Sequence, residues 1–128
     1  MTRLSLRIDF ANGAQLGPGK VRLLEEIGRH GSIAAAGRAL GMSYRRAWLL
    51  VDAVNQSFND PAVRTKPGGS KGGGAELTGW GRELVRLYRE AETAAAGGAA
   101  PALEALARNL GDGPPPPLRP AAQDDGVI

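Results

Sequence analysis

The segment Gly31-Ser32-Ile33-Ala34-Ala35-Ala36-Gly37-Arg38-Ala39-Leu40-Gly41-Met42-Ser43-Tyr44-Arg45-Arg46-Ala47-Trp48 constrains the fold more than any other part of the chain. Ser32 and Ser43 are N-cap residue types, whose hydroxyl accepts a bond from a first-turn amide. Gly41 between them suits the left-handed residue of a tight turn. Ile33, Ala36 and Leu40 give the first helix a buried stripe; Ala47, Leu50, Val51, Val54 and Phe58 give one to the second. Small Ala35, Ala36 and Ala39 let a neighbouring helix approach closely. Two short helices, a tight turn and cations at the start of the second form the layout of a helix-turn-helix. In that motif the second helix enters the DNA major groove.

A second basic element follows, Arg64-Thr65-Lys66-Pro67-Gly68-Gly69-Ser70-Lys71-Gly72-Gly73-Gly74. Short strands are expected at 62–66 and 75–77, flanking the glycine loop. A helix-turn-helix followed by such a hairpin is the plan of a winged helix. The charge distribution agrees with it. The chain's 128 residues carry a net charge of +3. From Arg29 to Lys71, Arg29, Arg38, Arg45, Arg46, Arg64, Lys66 and Lys71 stand against Asp52 and Asp60 alone, which is +5 there and −2 elsewhere. Positive charge gathered in one region is the footprint of a phosphate-binding face.

The remaining elements are read from periodicity. Leu4, Leu6, Ile8 and Phe10 alternate with polar neighbours, so a strand with one buried face is expected. Asn12-Gly13 then turns the chain toward a return strand at 14–16. A helix begins near Pro18, buries Val21, Leu24 and Ile27, and ends at Gly31. Asn59-Asp60-Pro61 stops the recognition helix. Thr78 caps a last helix with Trp80, Leu84, Leu87, Tyr88 and Ala91 on one face, and Gly97-Gly98 is expected to interrupt it. An amphipathic segment from Pro101 to Leu110 follows, then a tail with Pro114 to Pro117 and Asp124-Asp125 and little apolar mass, expected to be disordered. The fold class is therefore mainly α with small β. The expected divisions are a DNA-binding domain over 1–95, a helical extension over 96–110 and a tail over 111–128.

Several function classes find no support. Cysteine is absent, which removes disulfides, thiolate metal sites and cysteine nucleophiles. His30 is the sole histidine and sits at a helix end, where the dipole accounts for it. Glu25-Glu26 would point to different faces of a helix, and no catalytic constellation is found, so no enzyme, metal or cofactor is expected. Ser70-Lys71-Gly72 has the wrong order for a nucleotide-binding loop, which needs Gly-Lys-Ser/Thr opening a helix. No apolar run approaches a membrane span and no signal peptide is visible, so a cytoplasmic location is expected.

In order and with compact spacing, the chain carries Gly31-Ser32-Ile33, then Gly41-Met42-Ser43-Tyr44-Arg45-Arg46-Ala47-Trp48, then Val54-Asn55, then Gly68-Gly69-Ser70-Lys71-Gly72-Gly73-Gly74-Ala75, and Leu77-Thr78-x-x-Gly81. Over roughly residues 3 to 92 this resembles the N-terminal winged-helix domain of molybdenum-dependent, ModE-type transcriptional regulators, which are related to LysR-type DNA-binding domains. The resemblance implies double-stranded DNA as partner and dimerisation. Full-length members add a C-terminal oxyanion-binding domain; nothing after Thr93 has the pattern of such a barrel, so molybdate sensing is not expected of this chain.

The expected site follows from the motif. The recognition helix over 43–58 offers Ser43, Tyr44, Arg45, Arg46 and Trp48 near its start. Arg45 or Arg46 can donate two parallel bonds to guanine O6 and N7. Trp48 is expected to pack against the wing or the preceding helix. The wing over 62–77 offers Arg64, Lys66, Ser70, Lys71, Gly72 and Gly73 to the sugar-phosphate chain, positioning the protein without reading sequence. Trp80, Leu84, Leu87, Tyr88 and Ala91 present more apolar stripe than a three-helix core covers, so a homodimer is expected to bury them. Two rivals stand beside the regulator: a dimerising module that pairs with a full-length regulator, and a small oxyanion-binding protein.

Overall fold

The computed structural model describes residues 2–69 and 72–117. Eight elements follow in chain order: β1 (Ile8–Asp9), β2 (Gln15–Leu16), α1 (Pro18–His30), α2 (Ile33–Ala39), α3 (Tyr44–Ser57), β3 (Val63–Gly69), β4 (Gly72–Leu77) and α4 (Gly79–Arg108). β1 and β2 form one antiparallel pair, β3 and β4 another. The architecture is mainly helical with two small β-ribbons.

One apolar cluster joins the elements. Val21, Leu23, Leu24 and Ile27 of α1 form its centre, with Ile33 and Ala36 of α2 on one side and Ala47, Val51 and Val54 of α3 on another. Val63 and Ala75 bring the β3–β4 hairpin onto it, and Leu84 and Tyr88 bring α4. Leu23 belongs to this centre although the sequence stripe omits it, because α1 is enclosed by α2, α3 and α4 together.

The capping chemistry is as expected. Ser32 Oγ accepts from Ala35 N at 2.9 Å, Ser43 Oγ from Arg46 N at 3.1 Å and Thr78 Oγ1 from Gly81 N at 2.9 Å. Gly41, at φ +71°, turns the chain between α2 and α3 in a region that L side chains rarely adopt. The alternation over Leu4–Phe10 is present in burial, but the β1–β2 ladder pairs only Ile8 with Leu16 and Asp9 with Gln15. The segment before it is instead tied to α4, where the Tyr88 hydroxyl donates to Leu6 O at 2.6 Å.

The last helix departs from expectation. α4 runs unbroken through Gly97, Gly98 and Pro101 for 30 residues, about 45 Å at 1.5 Å per residue. Pro101 lacks the amide that would bond Gly97 O, and its ring crowds that carbonyl. Gly97 carries no side chain to add to the crowding, and Ala94–Ala96, Ala99, Ala100 and Ala102 have the strongest helix propensity. Half-buried Leu103 and Ala107 border a groove of about 910 Å³, with Leu4, Pro18 and Arg22 also on its walls. The interruption expected at Gly97-Gly98 is therefore absent, and the helix ends at Arg108, before Leu110. Residues 111–117 have no helix or strand; the rest of the expected tail, 118–128, lies outside the described residues.

Candidate nucleic-acid interface

Helix α3 owes its position to α2. Gly37 lies against the Ala47 methyl and Met42, so α2 and α3 meet closely. That contact fixes the roll of α3: Ala47, Val51 and Val54 point inward. Tyr44, Arg45, Arg46, Trp48 and Leu49 are exposed. Tyr44 is 60% exposed and Trp48 45%. Trp48, expected to pack against the wing or the preceding helix, is exposed and lies one helical turn from Tyr44 on α3.

The Ser43 hydroxyl oxygen is committed to capping, so what it offers a ligand is its remaining proton. Among the described residues no carboxylate lies within ion-pair distance of Arg38, Arg45 or Arg46, whereas Arg7, Arg29 and Arg64 each have one and Arg86 and Arg89 two. The start of α3 therefore presents two unpaired guanidiniums, a phenol and an indole, together with first-turn amides that have no partner inside the helix.

The β3–β4 hairpin is built differently. Val63 pairs with Leu77, Arg64 with Glu76, Thr65 with Ala75 and Lys66 with Gly74. Directly opposed side chains share a face. Arg64 Nε donates to Glu76 Oε2 at 2.7 Å, and Lys66 Nζ lies 3.1 Å from Glu76 Oε1. Bonds from Arg64 first, then Lys66, hold the Glu76 carboxyl below the usual carboxylate range. Gly72 and Gly73 lie on β4; Ser70 and Lys71, the expected tip contacts, lie outside the described residues.

Two residues that the sequence motif contains, but to which sequence reasoning gave no role, fix the hairpin. Asn55 on α3 accepts from Ala62 N at 2.8 Å and Val63 N at 3.1 Å through Oδ1, and donates to Val63 O at 3.0 Å through Nδ2. Its place in the Val54-Asn55 motif and beside the α3 stripe was the local signal. Gly81 allows α4 to pass against the hairpin base; a methyl there would overlap the Ala62 carbonyl oxygen. Glu76 was also missed. It is the sole carboxylate between Asp60 and Glu83, and its position opposite Arg64 follows from the hairpin register. At the far edge, Ala75 N donates to Gly31 O at 2.9 Å, joining the hairpin to the turn after α1.

The α4 face expected at a dimer interface divides in two. Leu84 and Tyr88 are buried in the chain's own core, and Trp80 is half-buried against Phe58, which contacts Phe10 in turn. Only Leu87 and Ala91 of that set stay exposed. The stripe is narrower than its sequence suggests because the N-terminal segment and β-ribbon cover half of it. Among the described residues no group of three or more His, Cys, Asp or Glu side chains is placed to hold a metal ion, and no helix is long and apolar enough to cross a membrane.

No protein-family model matches the chain. Individual proteins do. The chain is 46% identical over 84 residues to the molybdenum-pterin-binding protein MopB of Rhodobacter capsulatus, covering 66% of this chain and 31% of that protein. It is 40% identical over 92 residues to the molybdenum transport protein ModE of Azotobacter vinelandii, covering 72% of this chain and 33% of that one. It is 38% identical over 71 residues to the DNA-binding transcriptional dual regulator ModE of Escherichia coli, covering 56% of this chain and 27% of the regulator. The chain thus spans about a third of the length of the curated relatives it matches.

Proposed function

We propose that the chain is a winged helix-turn-helix DNA-binding protein of the molybdenum-regulator type, acting in transcriptional control as a homodimer. In this reading α3 is the recognition helix, and Arg45, Arg46 and Tyr44 reach base edges in the major groove. The β3–β4 hairpin is the wing, and its cations meet the sugar-phosphate backbone. The observation that carries the reading is the exposed start of α3, where Arg45 and Arg46 have no carboxylate beside them among the described residues. A helix terminus lined by guanidiniums and free amides is complementary to a polyanion. The likeness to a DNA-binding regulator supports the same reading.

The name of MopB supports a second reading, in which the chain takes part in holding a molybdenum species. Titration calorimetry with molybdate separates the two. The first reading is tested by fluorescence anisotropy with the duplex immediately upstream of the gene and a scrambled duplex across a salt series. Preferential binding to the upstream duplex that weakens steeply with salt is expected. Equal affinity for both duplexes with a shallow salt dependence would contradict it.

A further inference from the structure

The β3–β4 hairpin holds its own anion. Glu76 stands opposite Arg64 and one diagonal step from Lys66, on the same face of the ribbon. Each carboxylate oxygen serves one cation, Oε2 taking Arg64 Nε at 2.7 Å and Oε1 taking Lys66 Nζ at 3.1 Å. This is the arrangement in which a phosphate would meet the two side chains. Arg64 and Lys66 remain well exposed, so the pair is open to competition from solvent and solutes. The cations at the start of α3 have no such partner among the described residues.

We propose that Glu76 is a built-in competitor for the DNA backbone, occupying Arg64 and Lys66 until a phosphate displaces it, and so limiting the sequence-independent part of the affinity. The inference rests on the DNA-binding reading above and deepens it. Backbone contacts carry no sequence information. A carboxylate that opposes them weakens every complex by the same factor, and duplex recognition is left to α3.

The chemistry gives a defined signature. Bonds from Arg64 first, then Lys66, hold the Glu76 carboxyl below the usual carboxylate range, which itself lies below neutrality. Glu76→Gln keeps the shape and removes the negative charge, which is equivalent to gaining about one phosphate contact. Binding to a scrambled duplex is expected to tighten roughly three- to tenfold at low salt, and the slope of log affinity against log salt to steepen by about 1. Binding to the upstream duplex tightens by the same factor, so the ratio between the two is unchanged.

The experiment measures anisotropy of both duplexes with wild type, Glu76→Gln and Glu76→Thr over a salt series, with melting curves to show that each variant folds. The threonine substitution removes the charge with a side chain suited to a strand, so the two variants are expected to agree. Equal or weaker binding by both folded variants, with wild type still binding duplex, would overturn the competitor role alone and leave the DNA-binding reading standing. Failure of wild type to bind any duplex would overturn both.

Discussion

Arg45 and Arg46 at the start of α3 have no carboxylate beside them among the described residues, whereas Arg64 and Lys66 on β3 share that of Glu76. The two regions also differ in what holds them. The start of α3 is fixed by a cap and a positive-φ glycine within a few residues in sequence, and by a close contact between Gly37 and Ala47 ten positions apart. The hairpin depends on partners outside it: Asn55 bonds its first strand, Gly31 O accepts from its second, Thr78 N donates to Ala62 O at its base, and Gly81 leaves room there for that carbonyl. A rigid, uncompensated helix terminus suits contacts whose geometry must discriminate between bases. A compensated ribbon suits contacts that need only follow a backbone.

The largest effect comes from cutting the hairpin from α3. Asn55→Ala leaves the Ala62 and Val63 amides and the Val63 carbonyl without their partner, at about 2–4 kcal/mol of stability for two or three such groups. Chemical denaturation should show that loss with an unchanged slope against denaturant. A loss below about 0.5 kcal/mol would mean that water replaces the amide without cost.

Removing the hairpin cations is a smaller change. Arg64→Ala/Lys66→Ala is expected to weaken upstream and scrambled duplexes alike, on the order of tenfold, and to lower the salt slope by about 1–2. A loss confined to the upstream duplex would assign sequence readout to the hairpin and dissolve the contrast with α3.

The smallest effect separates the scaffold from both regions. Tyr88→Phe removes the bond to Leu6 O and should cost about 1 kcal/mol without changing duplex preference. Burial, with a smaller contribution from Glu92, lifts the Tyr88 phenol above its ordinary range. The folded state therefore favours the protonated phenol. Its stabilisation is present below the ordinary tyrosine pKa of about 10 and is lost as pH rises through the raised folded value. Melting curves of wild type and Tyr88→Phe should diverge at neutral pH and converge in alkali.

What could be read from sequence is what is settled locally. Ser32, Ser43 and Thr78 cap helices because their partners are three residues away, and Gly31 and Gly41 take left-handed positions because the chain reverses beside them. Features set by distant partners were not legible. Asn55 meets the start of β3 only after the chain has turned at 58–62. Gly97-Gly98 predicted an interruption, and the alanine-rich helix continues through them and through Pro101. The cap and start of α3 were legible and the Glu76 pairing was not, because it requires the hairpin register.

If duplex sequence is read at the start of α3, removing its two guanidiniums must abolish preference before it abolishes binding. Anisotropy of wild type and Arg45→Ala/Arg46→Ala on the upstream and scrambled duplexes at one salt concentration measures this. Wild type is expected to prefer the upstream duplex. The variant is expected to lose this preference while keeping weak binding to both, a loss of about 1–3 kcal/mol of discrimination for each bidentate contact removed. A variant that retains the full preference would contradict readout by α3.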